Sequence, residues 1–177
     1  MADLLLTGTA IKLGDGISTD DIIPGRFAHL RSDLPELARH VLEDAMPEFA
    51  SRARELSIGA QGPPILVAGR NLGLGSSREH APVVLKMAGI GGILAQSTAR
   101  IFFRNAINQG LPVLLCQTDE ISDGDRLQIN LAGSTVLDLT SGATLTCSRM
   151  PPIMSAILRE GGLIPYVRRH RRFAAAE

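Results

Sequence analysis

Ile65-Leu66-Val67-Ala68-Gly69-Arg70-Asn71-Leu72-Gly73-Leu74-Gly75-Ser76-Ser77-Arg78 decides the fold of this chain. Its first four residues are apolar without alternation, as expected of a strand buried on both faces of a parallel sheet. Gly69 ends that run, and Gly73 and Gly75 mark a tight turn. A helix is predicted next, from Arg78 or Ala81 to Ala88, stopped by Gly89-Ile90-Gly91-Gly92. Residues 93–95 form the next buried strand, and residues 99–109 a second helix closed by Gly110. Residues 112–115 form a third strand. Strand, helix, strand, helix, strand predicts parallel pairing with right-handed crossovers.

Toward the N-terminus, residues 4–6 and 10–13 read as two short strands around Thr7-Gly8-Thr9, followed by a turn at Asp15-Gly16. Residues 17–24 read as a loop close to the core, and residues 25–33 as an exposed loop. Residues 34–46 carry a helical stripe of Leu34, Leu37, Ala38, Val41, Leu42 and Ala45. Pro35 suits its first turn. A second short helix spans residues 47–56. Toward the C-terminus, residues 127–131, 135–139 and 143–147 alternate apolar and polar, which predicts an antiparallel meander. A last helix covers residues 151–160 and stops at Gly161-Gly162, before a basic tail of Arg168, Arg169, His170, Arg171 and Arg172. The reading is one α/β domain over residues 1–177, with a parallel strand–helix core and an antiparallel C-terminal meander.

Eighteen basic and 18 acidic residues give a formal net charge of zero, which argues against nucleic acid or an anionic membrane as partner. The N-terminus lacks the basic flank of a signal peptide, and no apolar run approaches the ~20 residues of a membrane span, so a cytoplasmic protein is expected. Cys116 and Cys147 lie far apart in sequence, with no spacing that suggests a disulfide framework or a metal knuckle. No metal ligands are expected on this chain.

The chemistry concentrates in Gly73-Leu74-Gly75-Ser76-Ser77-Arg78-Glu79-His80-Ala81-Pro82. The turn lies at the carboxyl end of a parallel strand, where ligands bind in open α/β sheets. Backbone N–H groups at the following helix start favour an anion, and Arg78 offers a bidentate grip on a carboxylate. Ser76-x-x-Glu79 equally fits a capping box. A P-loop, a dinucleotide fingerprint and a hydrolase elbow all fail on spacing. Asp15 and Asp21 fit turn and loop capping. Arg100 and Arg104, one helical turn apart, fit a solvated face.

Gly75-Ser76-Ser77-Arg78-Glu79-His80-Ala81 resembles a signature of the aconitase superfamily's swivelling domain. So do residues 15–24, Ala99-Arg100-Ile101-Phe102 with Asn105 and Gly110-Leu111-Pro112, and Gly161-Gly162-Leu163. These ordered blocks cover almost the whole chain. Its length resembles the stand-alone small subunits of isopropylmalate dehydratases and homoaconitases. The resemblance implies a hydro-lyase that moves a hydroxyl between adjacent carbons of a small 2-hydroxy dicarboxylic acid. It implies Ser76 as the base that takes a proton from carbon, with Ser77 and Arg78 binding substrate carboxylate. Asp20 matches an active-site aspartate that orients other groups, and His80 is expected to orient the glycine turn. A 4Fe–4S cluster acts in this family as Lewis acid, and two cysteines are too few to hold one. The cluster is therefore expected on a large partner subunit. Residues 26–33 are expected to choose the substrate. Arg26 and Arg31 are candidate substrate-binding cations, while Phe27, Ala28 and Leu30 offer an apolar wall. The expectation is an isopropyl pocket lined by these apolar residues, with Arg31 turned to water. A non-catalytic module of the same fold is the rival reading, disfavoured because Ser76, Ser77, Arg78 and Asp20 are all present.

Overall fold

The computed structural model describes residues 5–171, so Leu4 of the first predicted strand and Arg172 of the basic tail lie outside the described residues. The strands are β1 (Leu5–Lys12), β2 (Ile65–Ala68), β3 (Gly92–Ala95), β4 (Val113–Leu115), β5 (Arg126–Asn130), β6 (Thr135–Asp138) and β7 (Thr144–Thr146). The helices are α1 (Thr19–Ile22), α2 (Leu34–Leu37), α3 (Phe49–Ile58), α4 (His80–Met87), α5 (Arg100–Asn108), α6 (Pro152–Arg159) and α7 (Leu163–His170).

All strands join one mixed sheet in the order β4-β3-β2-β1-β5-β6-β7. The first four strands are parallel, and the meander adds antiparallel strands. β1 serves both halves. Its residues Leu5 to Thr9 pair with β5, and Ala10 to Lys12 pair with β2. The sheet curls until its edges meet: Ser148 N donates to Leu115 O at 2.7 Å, and Leu115 N donates to Ser148 Oγ at 3.3 Å.

Curling gives the sheet an inside and an outside, and the strand sequences fill both. Along β2, Ile65 and Val67 point inward with Leu94, Leu114, Leu127 and Val136. Leu66 and Ala68 point outward beneath Phe49, Leu85 and Phe102 of the helices. Burial on both faces is why β2 and β3 carry no polar residue, since each fully buried aliphatic side chain contributes ~1.5–3 kcal/mol.

Several elements depart from expectation. β1 is one strand, because Thr7, Gly8 and Thr9 stay in the ladder opposite Gln128, Leu127 and Arg126. Residues 17–24 are not all loop. Ser18 caps α1 in a capping box in which Asp21 N donates to Ser18 Oγ and Ser18 N donates to Asp21 Oδ2. The predicted exposed loop is a 3₁₀ helix over Gly25–Ser32. The predicted long helix at 34–46 stops after α2 and a 3₁₀ turn at Ala38–His40. Val41 turns extended and Leu42 takes φ +56°, which lets Leu42 N donate to Ile22 O at 3.0 Å. A bond to α1 thus replaces continued helix. The tail forms α7, where Arg169 and His170 pair with Glu160 at 3.1 and 3.2 Å.

Candidate active site

Two crossings place the serine turn. Gly73 N donates to Ile17 O at 2.7 Å, and Thr19 N donates to Leu74 O at 2.9 Å. On the other side, Leu72 N donates to Ser97 O and Ala99 N donates to Leu72 O. The turn is thereby stitched between the start of α1 and the start of α5, beyond the carboxyl end of β2. Gly73 (φ +73°) and Gly75 (φ +98°) make the reversal possible. Gly73 has a second constraint: a Cβ there would lie 2.2 Å from Phe102 Cγ.

The turn carries its side chains into a cleft of about 290 Å³, lined by Arg31, Ser76, Ser77, Arg78, Glu79 and His80. A larger hollow of about 700 Å³ lies between Pro35, Arg39, Arg54 and Met87, but none of these is a serine-turn residue. Helix α4 opens beside the serine cleft with Glu79 at its cap position and no side-chain capping bond. The capping box that Ser76-x-x-Glu79 equally fitted in sequence is therefore absent. The helix begins at His80, which leaves Ser76 too far upstream to cap it. Of its first positions, Ala81 N already donates to Arg78 O at 3.3 Å and Pro82 has no N–H, so the helix start offers an anion the His80 N–H.

Arg78 is the best-anchored group of the site. One terminal nitrogen donates to the Ile23 carbonyl and the other to Asp20 Oδ1. The Arg78 side chain is 18% exposed and that of Asp20 57%. Five guanidinium N–H donors minus these two leave three for a ligand. Ser76 is held through its backbone. Thr19 Oγ donates to Ser76 O at 2.9 Å, and Arg78 N donates to the same oxygen at 2.8 Å. Thr19 is 2% exposed, so this tether is dry. Its role was not legible in the sequence, because threonine beside aspartates carries no signature of its own. The Ile23 carbonyl was equally hidden.

These contacts join Asp20 (through Arg78), Ser76, Ser77, Arg78 and Arg31 in one place. Arg26 is not among them. Its guanidinium makes a two-point pair with Asp44 at 2.5 and 2.7 Å and reaches Glu43 at 3.2 Å. Those carboxylates hold the Arg26 pKa above its ordinary value, with the Asp44 hydrogen bond the largest cause. Asp44 and Glu43 are lowered, chiefly by Arg26 and His40 respectively. Phe27 stacks on His40 at 4.1 Å, and Phe27 and Leu30 pack against the core. Arg31, expected to turn away, lines the cleft. Asp15 does serve the turn, accepting from Arg70 N at 2.7 Å.

The model of the aconitase C-terminal domain matches residues 37–118. The small subunit 2 of 3-isopropylmalate dehydratase from Archaeoglobus fulgidus is 50% identical over 165 residues, which is 93% of this chain and 96% of that one. The chain belongs to the small-subunit family of 3-isopropylmalate dehydratases. A homoaconitase small subunit from Methanothermobacter thermautotrophicus is 47% identical, over 90% of this chain and 89% of its own. The crystal structure of a 3-isopropylmalate dehydratase from Methanocaldococcus jannaschii superposes with a TM-score of 0.86 at 37% identity, covering 95% of this chain and 96% of that one. The curled mixed sheet is thus the fold of the family.

Dehydratases of the aconitase family work with an iron–sulfur cluster. The donors of this chain do not fit one. Among the described residues, no group of three or more His, Cys, Asp and Glu converges as a metal site. Cys116 and Cys147 are buried inside the sheet, and neither lines the serine cleft. Among the described residues no helix is long and apolar enough to cross a membrane.

Proposed function

We propose that the chain is the small subunit of a 3-isopropylmalate dehydratase, interconverting 2- and 3-isopropylmalate through 2-isopropylmaleate. It acts as one swivelling domain that closes over a cluster-binding large subunit. The observation that carries this reading is the convergence of Ser76, Ser77 and Arg78 in one cleft, with Arg78 braced by Asp20. Cluster thiolates come from the partner, since this chain has two cysteines and both lie elsewhere. This chain supplies proton transfer and the grip on substrate. The Ser76 hydroxyl oxygen, as alkoxide, removes the proton from the carbon beside the carbinol. The C–H electrons form the C=C bond and the carbinol hydroxyl leaves. Hydration then puts hydroxyl on the first carbon while Ser76 returns the proton to the former carbinol carbon. Alkoxide needs preorganised positive charge and donors, and the free N–H groups of the Arg78 cation provide them. The free N–H groups of Arg78 and the Ser77 hydroxyl hold a substrate carboxylate. Asp20 and Thr19 position these groups without touching substrate.

The test is Ser76→Ala, co-purified with the large subunit and assayed without oxygen. Turnover falls by ~10²–10⁴-fold, the range of a general base, while the complex still assembles. A loss under about tenfold removes Ser76 from the role.

Arg31 in the cleft favours a second reading, an acid whose arm ends in carboxylate, as in homoaconitate. A cation facing an isopropyl arm lacks a partner and discriminates against it. In Arg31→Ala, selective collapse of homoaconitate turnover supports this second reading. Unchanged selectivity leaves isopropylmalate as the substrate.

A further inference from the structure

Cys116 and Cys147 face each other across the line where the curled sheet meets itself. Each follows an edge strand, Cys116 one residue after β4 and Cys147 one residue after β7. Ser148 N donates to Leu115 O at 2.7 Å and Leu115 N donates to Ser148 Oγ at 3.3 Å, so residues 115 and 148 lie opposite each other where the two edge strands meet. One step along each chain, 116 lies opposite 147. Their own N–H groups turn away from the junction: Cys116 N donates to Ala95 O, and Cys147 N donates to Ser134 O, both backward into the sheet. The two cysteines therefore lie as neighbours across the junction, and cross-strand neighbours bring their Cα atoms to ~4.5–5.5 Å. That separation lies within the ~4.4–6.8 Å that a disulfide spans.

Burial and chemistry agree with this placement. Both residues are 8% exposed and belong to the same interior cluster. Nothing in the proton-transfer chemistry of the serine cleft uses them.

We infer that Cys116 and Cys147 are a redox-modification site, closed to a reversible intrachain disulfide by a hydroperoxide. The Cys116 thiolate attacks one peroxide oxygen, the O–O bond breaks, and hydroxide leaves, giving a sulfenic acid. The Cys147 sulfur then attacks the Cys116 sulfur. The S–S bond forms, the S–O bond breaks, and the departing hydroxide takes the Cys147 proton. Two thiols and one hydrogen peroxide become one disulfide and two waters. The order of attack follows from the pair's asymmetry. Hydrogen bonding from Cys147 lowers the Cys116 pKa, while Cys116 and burial raise that of Cys147. The thiolate is the nucleophile, so Cys116 reacts first.

The experiment takes the reduced full-length chain, adds hydrogen peroxide, and follows intact mass, iodoacetamide labelling and peptide maps. The expected product has lost two hydrogens, takes no label, yields one peptide pair joining Cys116 to Cys147, and reverts with dithiothreitol. Its thermal midpoint rises by on the order of 10 °C, from closing a loop of about 30 residues. Cys147→Ser changes the endpoint to a Cys116 sulfenic acid that dimedone traps. Both thiols still labelling after peroxide overturn the inference. So does Cys116 gaining two oxygens without a cross-link, or a cross-link found only between chains. These readings on the unmutated chain decide the matter even if the variant does not fold.

Discussion

Replacing Gly73 with alanine tests whether the serine turn is fixed by its seat on α5. Two costs act at this position. The backbone holds φ +73°, and an L side chain there costs ~1–2 kcal/mol. The new Cβ would also lie 2.2 Å from Phe102 Cγ, 2.5 Å from its Cβ and 2.6 Å from its Cδ2. These atoms are the root of a ring that is 2% exposed, so no flexible end can swing aside. Relief requires α5 or the turn to move, and overpacking of this kind costs ~1–3 kcal/mol. The sum, ~2–5 kcal/mol, is a large part of the ~5–15 kcal/mol that typically holds a domain together. Gly75→Ala is the control. It also stands at positive φ (+98°), but its Cβ would come no nearer than 3.6 Å to Thr19 Oγ. Only the backbone cost then remains. Urea unfolding of both variants measures the difference, and turnover with the partner subunit reports the displaced Ser76. Equal destabilisation by the two substitutions, or a Gly73→Ala loss below ~1 kcal/mol, would refute the argument from the Phe102 contact.

Thr19→Val removes the 2.9 Å tether on Ser76 O and is expected to cost ~0.5–1.5 kcal/mol in thermal unfolding. In the assembled enzyme it lowers kcat with little change in KM, and Thr19→Ser restores it. Arg78→Lys keeps the charge but cannot hold the Ile23 carbonyl, Asp20 and a carboxylate together, so kcat/KM falls by roughly 10–100-fold in steady-state assays. Glu43 has its pKa depressed, first by the His40 hydrogen bond and then by Arg26. Its contribution to stability is therefore present above the unfolded glutamate value of ~4.3 and is lost as pH falls through the lower folded value. Thermal midpoints of the natural chain and Glu43→Gln differ at neutral pH and converge in acid.

The parallel half of the sheet was readable because burial on both faces leaves an unbroken apolar run, as at Ile65 to Ala68. The meander was readable from alternation, seen in the burial of Leu127 and Ile129 against half-exposed Gln128. What escaped prediction depends on partners distant in sequence. The helical stripe of residues 34–46 continues to Ala45, but Leu42 bonds Ile22 and the helix ends. Arg26 has the charge for a substrate, but Asp44 claims it from 18 residues away. Phe27 and Leu30, offered as an apolar wall in sequence, are half-buried and pack against the core. The serine turn was visible as a motif, whereas the residues bracing it, Thr19, Ile23 and Phe102, were not. Closure of the sheet at Leu115 and Ser148 left no mark in the sequence.

The position of β1 in the sheet has a consequence for how the chain is made. Strands β2 to β4 arise as neighbours along the chain, and β5 to β7 can zip as local hairpins. β1 lies between these two groups, although it comes first in the sequence. Its partner on one side is Ile65 to Val67, and on the other Arg126 to Asn130. A ribosome therefore releases the first strand long before its second neighbour exists, and β1 cannot be paired on both sides until Asn130 has emerged. Closing such distant pairs carries a large entropic cost before any contact repays it, which sets slow folding for the whole chain. During that interval the half-paired first strand presents an open hydrogen-bonding edge, and a second nascent copy or a chaperone is the competitor for it.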